Sequence, residues 1–324
     1  PVHLRPDLPG RLDFKFAARG EGFGGGTLDV GLRELRGTLR GTPARGSGSV
    51  GLRGDTWSFA KVDLVAGGLR ANLDGTLGAD SRDLVFRLDA SDLSVLAPRS
   101  RGTLRARGSY RGTTREPVLV LDARGNGIEH EGLAIGRLEA DIDFDPRAGR
   151  SSKVRANARD LQAFGRGLDS IALRLDGQSE DHRLGIVARA AELALDTSAE
   201  GRFTAGEWRG TWNRLDLQVG EQVRLALDGT MAMTATPTSG SVGAFCLRDM
   251  QLKDSDARLC ASLDWDPRIW QGQLDATMLP LATLTAGLTA QVRYEGTVDV
   301  VARGSGAAGA PPVGTLRADL TDAQ

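Results

Sequence analysis

Apolar and polar residues alternate along almost the whole chain, from Leu12 to about Leu320. In Ile171-Ala-Leu173-Arg-Leu175-Asp, Ile171, Leu173 and Leu175 take one side and Ala172, Arg174 and Asp176 the other, because strand side chains leave the backbone on alternate faces. The same period recurs in Leu12-Asp-Phe14-Lys-Phe16, Leu28-Asp-Val30-Gly-Leu32, Leu84-Val-Phe86-Arg-Leu88, Leu138-Glu-Ala140-Asp-Ile142-Asp-Phe144, Val223-Arg-Leu225-Ala-Leu227 and Val298-Asp-Val300. Each such segment predicts a strand with one apolar and one wet face. Turn signals at Gly24-Gly25-Gly26, Asn126-Gly127 and Asp145-Pro146 fall at strand-length intervals, as hairpin turns do. The pattern predicts an antiparallel meander of roughly twenty strands.

A chain of 324 residues ordinarily divides into domains with separate cores. Its sequence shows no Pro-, Ser- or charge-rich linker, and the longest flexible-looking stretch, 303–312, reads as a loop. The expectation is one continuous segment, 1–324, of an elongated, curled antiparallel sheet: an all-β, U-shaped groove, or β-taco. Such a sheet cannot leave its apolar face in water, since each buried Leu or Phe side chain is worth about 1.5–3 kcal/mol over its exposed state. A sandwich needs domain breaks and bulky aromatic filler, whereas aromatics are 5% of this chain and Leu, Val, Ala and Gly dominate the apolar phase. The residues assigned to the inner, lipid-facing surface are Phe14, Phe16, Leu28, Val30, Leu84, Phe86, Leu88, Ile142, Phe144, Leu173, Leu175, Leu225 and Leu227.

The net charge of −1, with arginines interleaved among Asp and Glu, describes a solvated, cross-strand-paired face and argues against nucleic acid as a partner. No segment reaches the ~18–20 apolar residues of a membrane-spanning helix. The chain begins at Pro1 and ends in a strand-like run, so it reads as an excerpt of a longer protein. Cys246 and Cys260 flank a hairpin-like stretch with its turn near Asp254-Ser-Asp256, which sets them facing each other. A disulfide, and with it an oxidising compartment, is favoured over two separate buried thiols.

Catalytic and metal chemistry find little support. Gly20-Glu-Gly22-Phe-Gly24-Gly25 matches a phosphate-loop spacing, but an alternating strand follows where a helix N-terminus is required. His3, His130 and His182 are isolated in sequence and are assigned to the surface. Asp141, Asp143 and Asp145 share one phase and read as a solvent face, lacking the ligand-rich loop of a calcium site. Trp57, Trp208, Trp212, Trp265 and Trp270 are assigned as strand-end plugs, with contact to lipid headgroups at a groove rim as the alternative. No cofactor, no metal and no catalytic residue is expected.

Two stretches share one grammar. Ser91-Asp-Leu93-Ser-Val95-Leu96 leads into Arg101-Gly-Thr-Leu104 and a loop ending at Pro117, and Pro280-Leu281-Ala-Thr-Leu284 leads into Glu295-Gly-Thr-Val298 and a loop ending at Pro312. A second echo sets Asp143-Phe144-Asp145-Pro146-Arg147 against Asp264-Trp265-Asp266-Pro267-Arg268. The run from Cys246 through Leu259-Cys260-Ala-x-Leu-x-Trp265-Asp, Trp270-Gln-Gly, Leu279-Pro-Leu-Ala-x-Leu284 and Glu295-Gly-Thr resembles the middle region of the TamB family. These are AsmA-like, bridge-type proteins of the Gram-negative envelope. The resemblance implies a periplasmic groove whose parent protein is anchored in the inner membrane outside this segment and works with a TamA-like outer-membrane barrel. The function it implies is conduction of phospholipid acyl chains toward the outer membrane. The alternative is a chaperone or scaffold segment for outer-membrane protein assembly.

Overall fold

The computed structural model describes residues 10–21, 27–39, 41–78, 82–97, 99–113, 116–163, 166–204, 206–220, 223–250, 257–281, 296–307 and 311–322. His3, the glycines at 22 and 24–26, the turn at 254–256 and the corner at 282–284 lie outside the described residues. The chain divides into two units, Pro1–Ser170 and Ile171–Gln324.

Unit 1 is a meander of β1 (Gly10–Glu21), β2 (Thr27–Leu39), β3 (Thr42–Arg53), β4 (Thr56–Ala66), β5 (Leu69–Leu77), β6 (Arg82–Ala90), β7 (Arg101–Gly112), β8 (Pro117–His130), β9 (Leu133–Phe144) and β10 (Ser151–Ala163). Each strand pairs antiparallel with the next. The division falls within β11 (Arg166–Gln178). Unit 2 continues with β12 (Asp181–Ala190), β13 (Leu193–Thr204), β14 (Glu207–Val219), β15 (Val223–Asp228), β16 (Met231–Ala235), β17 (Gly240–Asp249), β18 (Arg258–Trp265), β19 (Ile269–Pro280), β20 (Thr297–Ala307) and β21 (Val313–Thr321). Here β15 and β16 share one position, both lying between β14 and β17. The fold is an all-β antiparallel sheet that does not close into a barrel, and the alternating pattern predicted it.

One turn signal misled. Asn126-Gly127 sits inside β8, where Gly127 has φ +56°, and the chain reverses instead at Glu131-Gly132. Opposite, the β7–β8 register shifts between Arg101 and Thr103. The dipeptide therefore makes a bulge and not a hairpin.

Bulges also bend the sheet, and apart from those at Arg101/Thr103 and Ala276/Leu279 they line up. In unit 1 the register shifts at Lys15/Phe16, Leu32/Leu35, Ser47/Ser49 and Phe59/Val62 on successive strand pairs. In unit 2 it shifts at Ser198/Ala199 and at Val242/Phe245, with the break between β15 and β16 lying between them. A bulge kinks its strand and raises local twist, so bulges in consecutive strands make a crease that turns the two halves of each strand toward one another. Two bulge residues, Lys61 and Met278, take the left-handed φ of 49°, which costs a residue with a side chain about 1–3 kcal/mol. Each is offset by the same device: the Lys61 N–H donates to Asp74 Oδ2 at 3.1 Å and the Met278 N–H to Asp299 Oδ1 at 2.6 Å.

The 3-10 turn Leu93–Val95, capped by Asp92 accepting from the Ser94 N–H at 2.8 Å, folds its apolar residues onto the sheet. Leu93 and Val95 join Leu35, Ala44, Ala66, Leu69 and Ala90 in the main buried cluster of unit 1. Alanines at three of those strand positions leave room for the turn to approach. In unit 2 the buried clusters centre on Leu225 and Leu247, and on Ala276, Leu279 and Val298.

Candidate apolar binding face

Directly opposed residues on paired strands share a face, so the register can be followed across unit 1. One row runs Phe14, Leu35, Gly46, Leu64, Ala71, Leu88, Ala106, Ala123, Ala140, Ala156. A second, two residues along each strand, includes Phe16 with Leu32, then Val62, Leu73, Phe86, Gly108, Leu121, Ile142 and Val154. A third runs Ala18, Val30, Val50, Phe59, Gly75, Leu84, Tyr110, Leu119, Phe144. No charged residue enters any of the three. The interleaved row Asp63, Asn72, Arg87, Arg107, Asp122, Asp141, Arg155 is polar throughout. It carries exposed cross-strand pairs such as Arg107 Nε to Asp122 Oδ1 at 3.5 Å, each worth at most about 1 kcal/mol.

Of the residues assigned to the inner surface, Phe14, Phe16, Val30, Leu84, Phe86, Leu88, Ile142 and Phe144 occupy these three rows. Leu28 stands in the next, opposite Leu52, which faces Trp57. Leu173 and Leu175 are half-buried on β11 while Arg174 and Asp176 are exposed. Leu225 is buried against Leu247, and Leu227 packs on that pair.

The apolar face is incompletely covered. Leu73, Leu84, Phe86, Leu88, Leu121, Ile142 and Phe144 are all only half-buried, and no large side chain among the described residues is fully buried. Leucines of an ordinary domain core are not left this wet. A concavity of ≈770 Å³ is lined by Asp63, Asp74, Val85, Arg87, Arg107 and Asp122 of the polar face and also by Val62, Leu73, Phe86 and Gly108 of the middle apolar row.

Tryptophans edge the apolar face of unit 2. Phe203, Trp208, Ala235, Gly240, Trp265, Trp270 and Gly306 form its row nearest the hairpin turns. The indoles lie on glycines: a Cβ at Gly210 would stand 2.5 Å from the Trp208 ring, and one at Gly240 2.3 Å from the Trp265 ring. Trp57 and Trp270 remain 45% and 38% exposed, so these two are not buried plugs. Trp208 and Trp212 both lie within β14.

His182 overturns its surface assignment, being only 5% exposed. It stands in register opposite Gly201. Its Nδ1 lies 3.1 Å from the Gln178 carbonyl, and its Nε2 accepts the Trp208 indole N–H at 2.7 Å. Acceptance at Nε2 assigns the proton to Nδ1 and makes the ring a neutral strut. The phase of Leu184, Ile186 and Ala188 was the available signal, since His182 shares it. His130 is exposed and bonded to Ser100 Oγ at 2.8 Å. Asp141 and Asp143 are exposed on the polar face. Asp145 instead binds Arg147, whose hydrogen bonds hold its carboxyl below the usual range.

Cys246 and Cys260 are directly opposed on β17 and β18, with their sulfurs at the disulfide distance of 2.06 Å. Their register neighbours on the outer sides are Asp228 and Asp275, which places the pair on the polar face. The bond closes a loop of sequence separation 14, so replacing both cysteines by serine is expected to lower unfolding free energy by about 2–3 kcal/mol. Urea denaturation with and without reductant measures it, and the serine variant should be insensitive to reductant.

Among the described residues no group of His, Cys, Asp and Glu is arranged to hold a metal ion, and no helix is long and apolar enough to cross a membrane. In comparisons with known proteins, the family model for the TamB N-terminal domain matches residues 1–324. No curated protein and no solved structure matches the chain.

Proposed function

We propose, for a chain that belongs to the TamB family, that the apolar face is a conduit shielding phospholipid acyl chains within the periplasm. Membership supports a role in the TamA–TamB, bridge-like system of the envelope, a family of transport and assembly components and not of enzymes. The observation that carries the finer reading is the set of uncharged cross-strand rows in unit 1 whose leucines and phenylalanines are only half-buried. An apolar surface of this kind gains about 25 cal/mol for each Å² removed from water. Acyl chains supply that cover without imposing side-chain geometry, which suits rows built from Ala, Gly, Leu and Val. The face has no catalytic part in this reading.

A second reading, a scaffold for outer-membrane protein assembly, gives the same half-buried apolar face to unfolded polypeptide.

Titration of the full chain with vesicles carrying a fluorescent-acyl phospholipid separates the two. The conduit predicts saturable uptake that an unfolded barrel strand does not displace. Displacement by the peptide, with no lipid retained, assigns the face to polypeptide.

A further inference from the structure

The tripeptide Asp-Pro-Arg occurs twice at strand ends, and its arginine is used differently each time. In the turn after β9, Asp145 Oδ1 accepts from Arg147 Nε at 2.7 Å as well as from the Arg147 N–H at 3.1 Å. The guanidinium is thus folded back on its own carboxylate. In the turn between β18 and β19, Asp266 Oδ1 is taken by the backbone N–H groups of Arg268 at 2.7 Å and Ile269 at 2.9 Å. Among the described residues Arg268 makes no ion pair, and its side chain is exposed.

That turn joins Trp265 to Trp270, which stand directly opposite each other on the apolar face. Trp270 lies along β20, where a Cβ at Gly306 would meet its Nε1 at 2.5 Å and one at Gly304 its ring at 3.3 Å. Trp208 and Trp212 of the same unit spend their indole N–H groups internally, on His182 Nε2 at 2.7 Å and Met233 Sδ at 3.3 Å. Trp265 and Trp270 have no such acceptor among the described residues. One step further along the strands Gly272 opposes Leu263 and Gly304. Next comes Leu274, 37% exposed, opposite Ala261 and Ala302.

From turn to sheet, then, the order is a guanidinium and two indole donors with no partner among the described residues, followed by an open apolar floor. At about 3.3 Å of rise per residue, Arg268 and Leu274 are separated by roughly 20 Å of chain. A phospholipid presents the complementary order: an anionic phosphate, ester carbonyls that accept hydrogen bonds, then acyl chain. Indole rings favour this polar–apolar boundary.

We propose that the β18–β19 hairpin is a headgroup station, with Arg268 on the phosphate and the Trp265 and Trp270 N–H groups on the ester region of a phospholipid whose chains lie over Gly272 and Gly304. This rests on the conduit reading and adds to it the rim at which the headgroup travels.

Spin-labelled lipids test it in the full chain. Fluorescence quenching is measured for the natural sequence and for W265F/W270F, the difference isolating the two rim indoles. A nitroxide on the headgroup is expected to quench that difference signal at least twice as strongly as one at the acyl terminus. Arg268→Gln, an exposed turn change, should weaken phosphatidylglycerol binding about fivefold at low salt, the size of a well-placed exposed ion pair. Millimolar inorganic phosphate should not compete. Stronger quenching by the acyl-terminal label overturns the station while leaving the conduit intact, and so does an unchanged affinity in Arg268→Gln. Displacement by inorganic phosphate reassigns the turn to a free anion. Failure of any lipid to bind removes both the station and the conduit.

Discussion

Phe86→Asp is expected to cut acyl-lipid uptake at least thirtyfold, whereas Arg87→Asp, the adjacent residue, changes it less than twofold. Phe86 lies between Leu73 and Gly108 in the middle row of the apolar face, and Arg87 between Asn72 and Arg107 on the polar one. A carboxylate placed among Leu73, Leu121 and Ile142 has no cationic neighbour in its row. Covering it with acyl chain costs several kcal/mol unless it protonates or retains water, and about 2 kcal/mol already gives a thirtyfold loss. Uptake of a fluorescent-acyl phospholipid by the purified variants provides the measurement. Phe86→Leu is the control for folding, since it keeps the face apolar at modest packing cost and should bind normally. A Phe86→Asp protein that retains strand content by circular dichroism and binds lipid as well as Arg87→Asp does would remove the apolar face from the mechanism.

Gly75→Val should be the most damaging single change to unit 1, at 4 kcal/mol or more (roughly the upper range for point substitutions). Gly75 has φ +119°, and a Cβ there would stand 1.8 Å from the Asp83 carbonyl oxygen on β6. Valine would clash with the ladder itself, and its branched side chain is foreign to that backbone region. Gly54 offers the contrast, because its φ of +61° carries the conformational preference while nothing lies within 4 Å of its Cβ position. Gly54→Ala should therefore cost only about 1 kcal/mol. Urea unfolding followed by far-UV circular dichroism compares the two, and equal midpoints would show that β5 and β6 do not pair in this register.

Much of this architecture was legible because a two-residue period is the direct signature of a half-buried strand. The nine unit 1 residues assigned to the inner surface share one face by register. Fully apolar runs were a different matter. In Val118-Leu119-Val120-Leu121 alternation carries no phase, and only pairing decides it: Leu119 and Leu121 oppose Tyr110 and Gly108 on the apolar face, while Val120 is 43% exposed on the other. The creases were equally hidden, since a bulge is a count of residues against a partner strand and cannot be seen in one strand alone. Lys61 and Asp74 are 13 residues apart, and Met278 and Asp299 are 21 apart. Nothing local marks either carboxylate as the cap of a left-handed residue. His182 was misassigned because Glu180 and Asp181 beside it suggest a surface turn, and they do lie exposed. Strand phase outweighs such neighbours once β12 is recognised as starting at Asp181.

A photo-crosslinking amino acid placed in turn at Phe86, Arg87, Arg174 and Leu175 of the full-length protein in cells, with mass spectrometry of each adduct, tests the conduit most directly. The account predicts phospholipid adducts at Phe86 and Leu175 and none at Arg87 or Arg174. Peptide adducts alone at Phe86 and Leu175, with lipid never recovered, would contradict it.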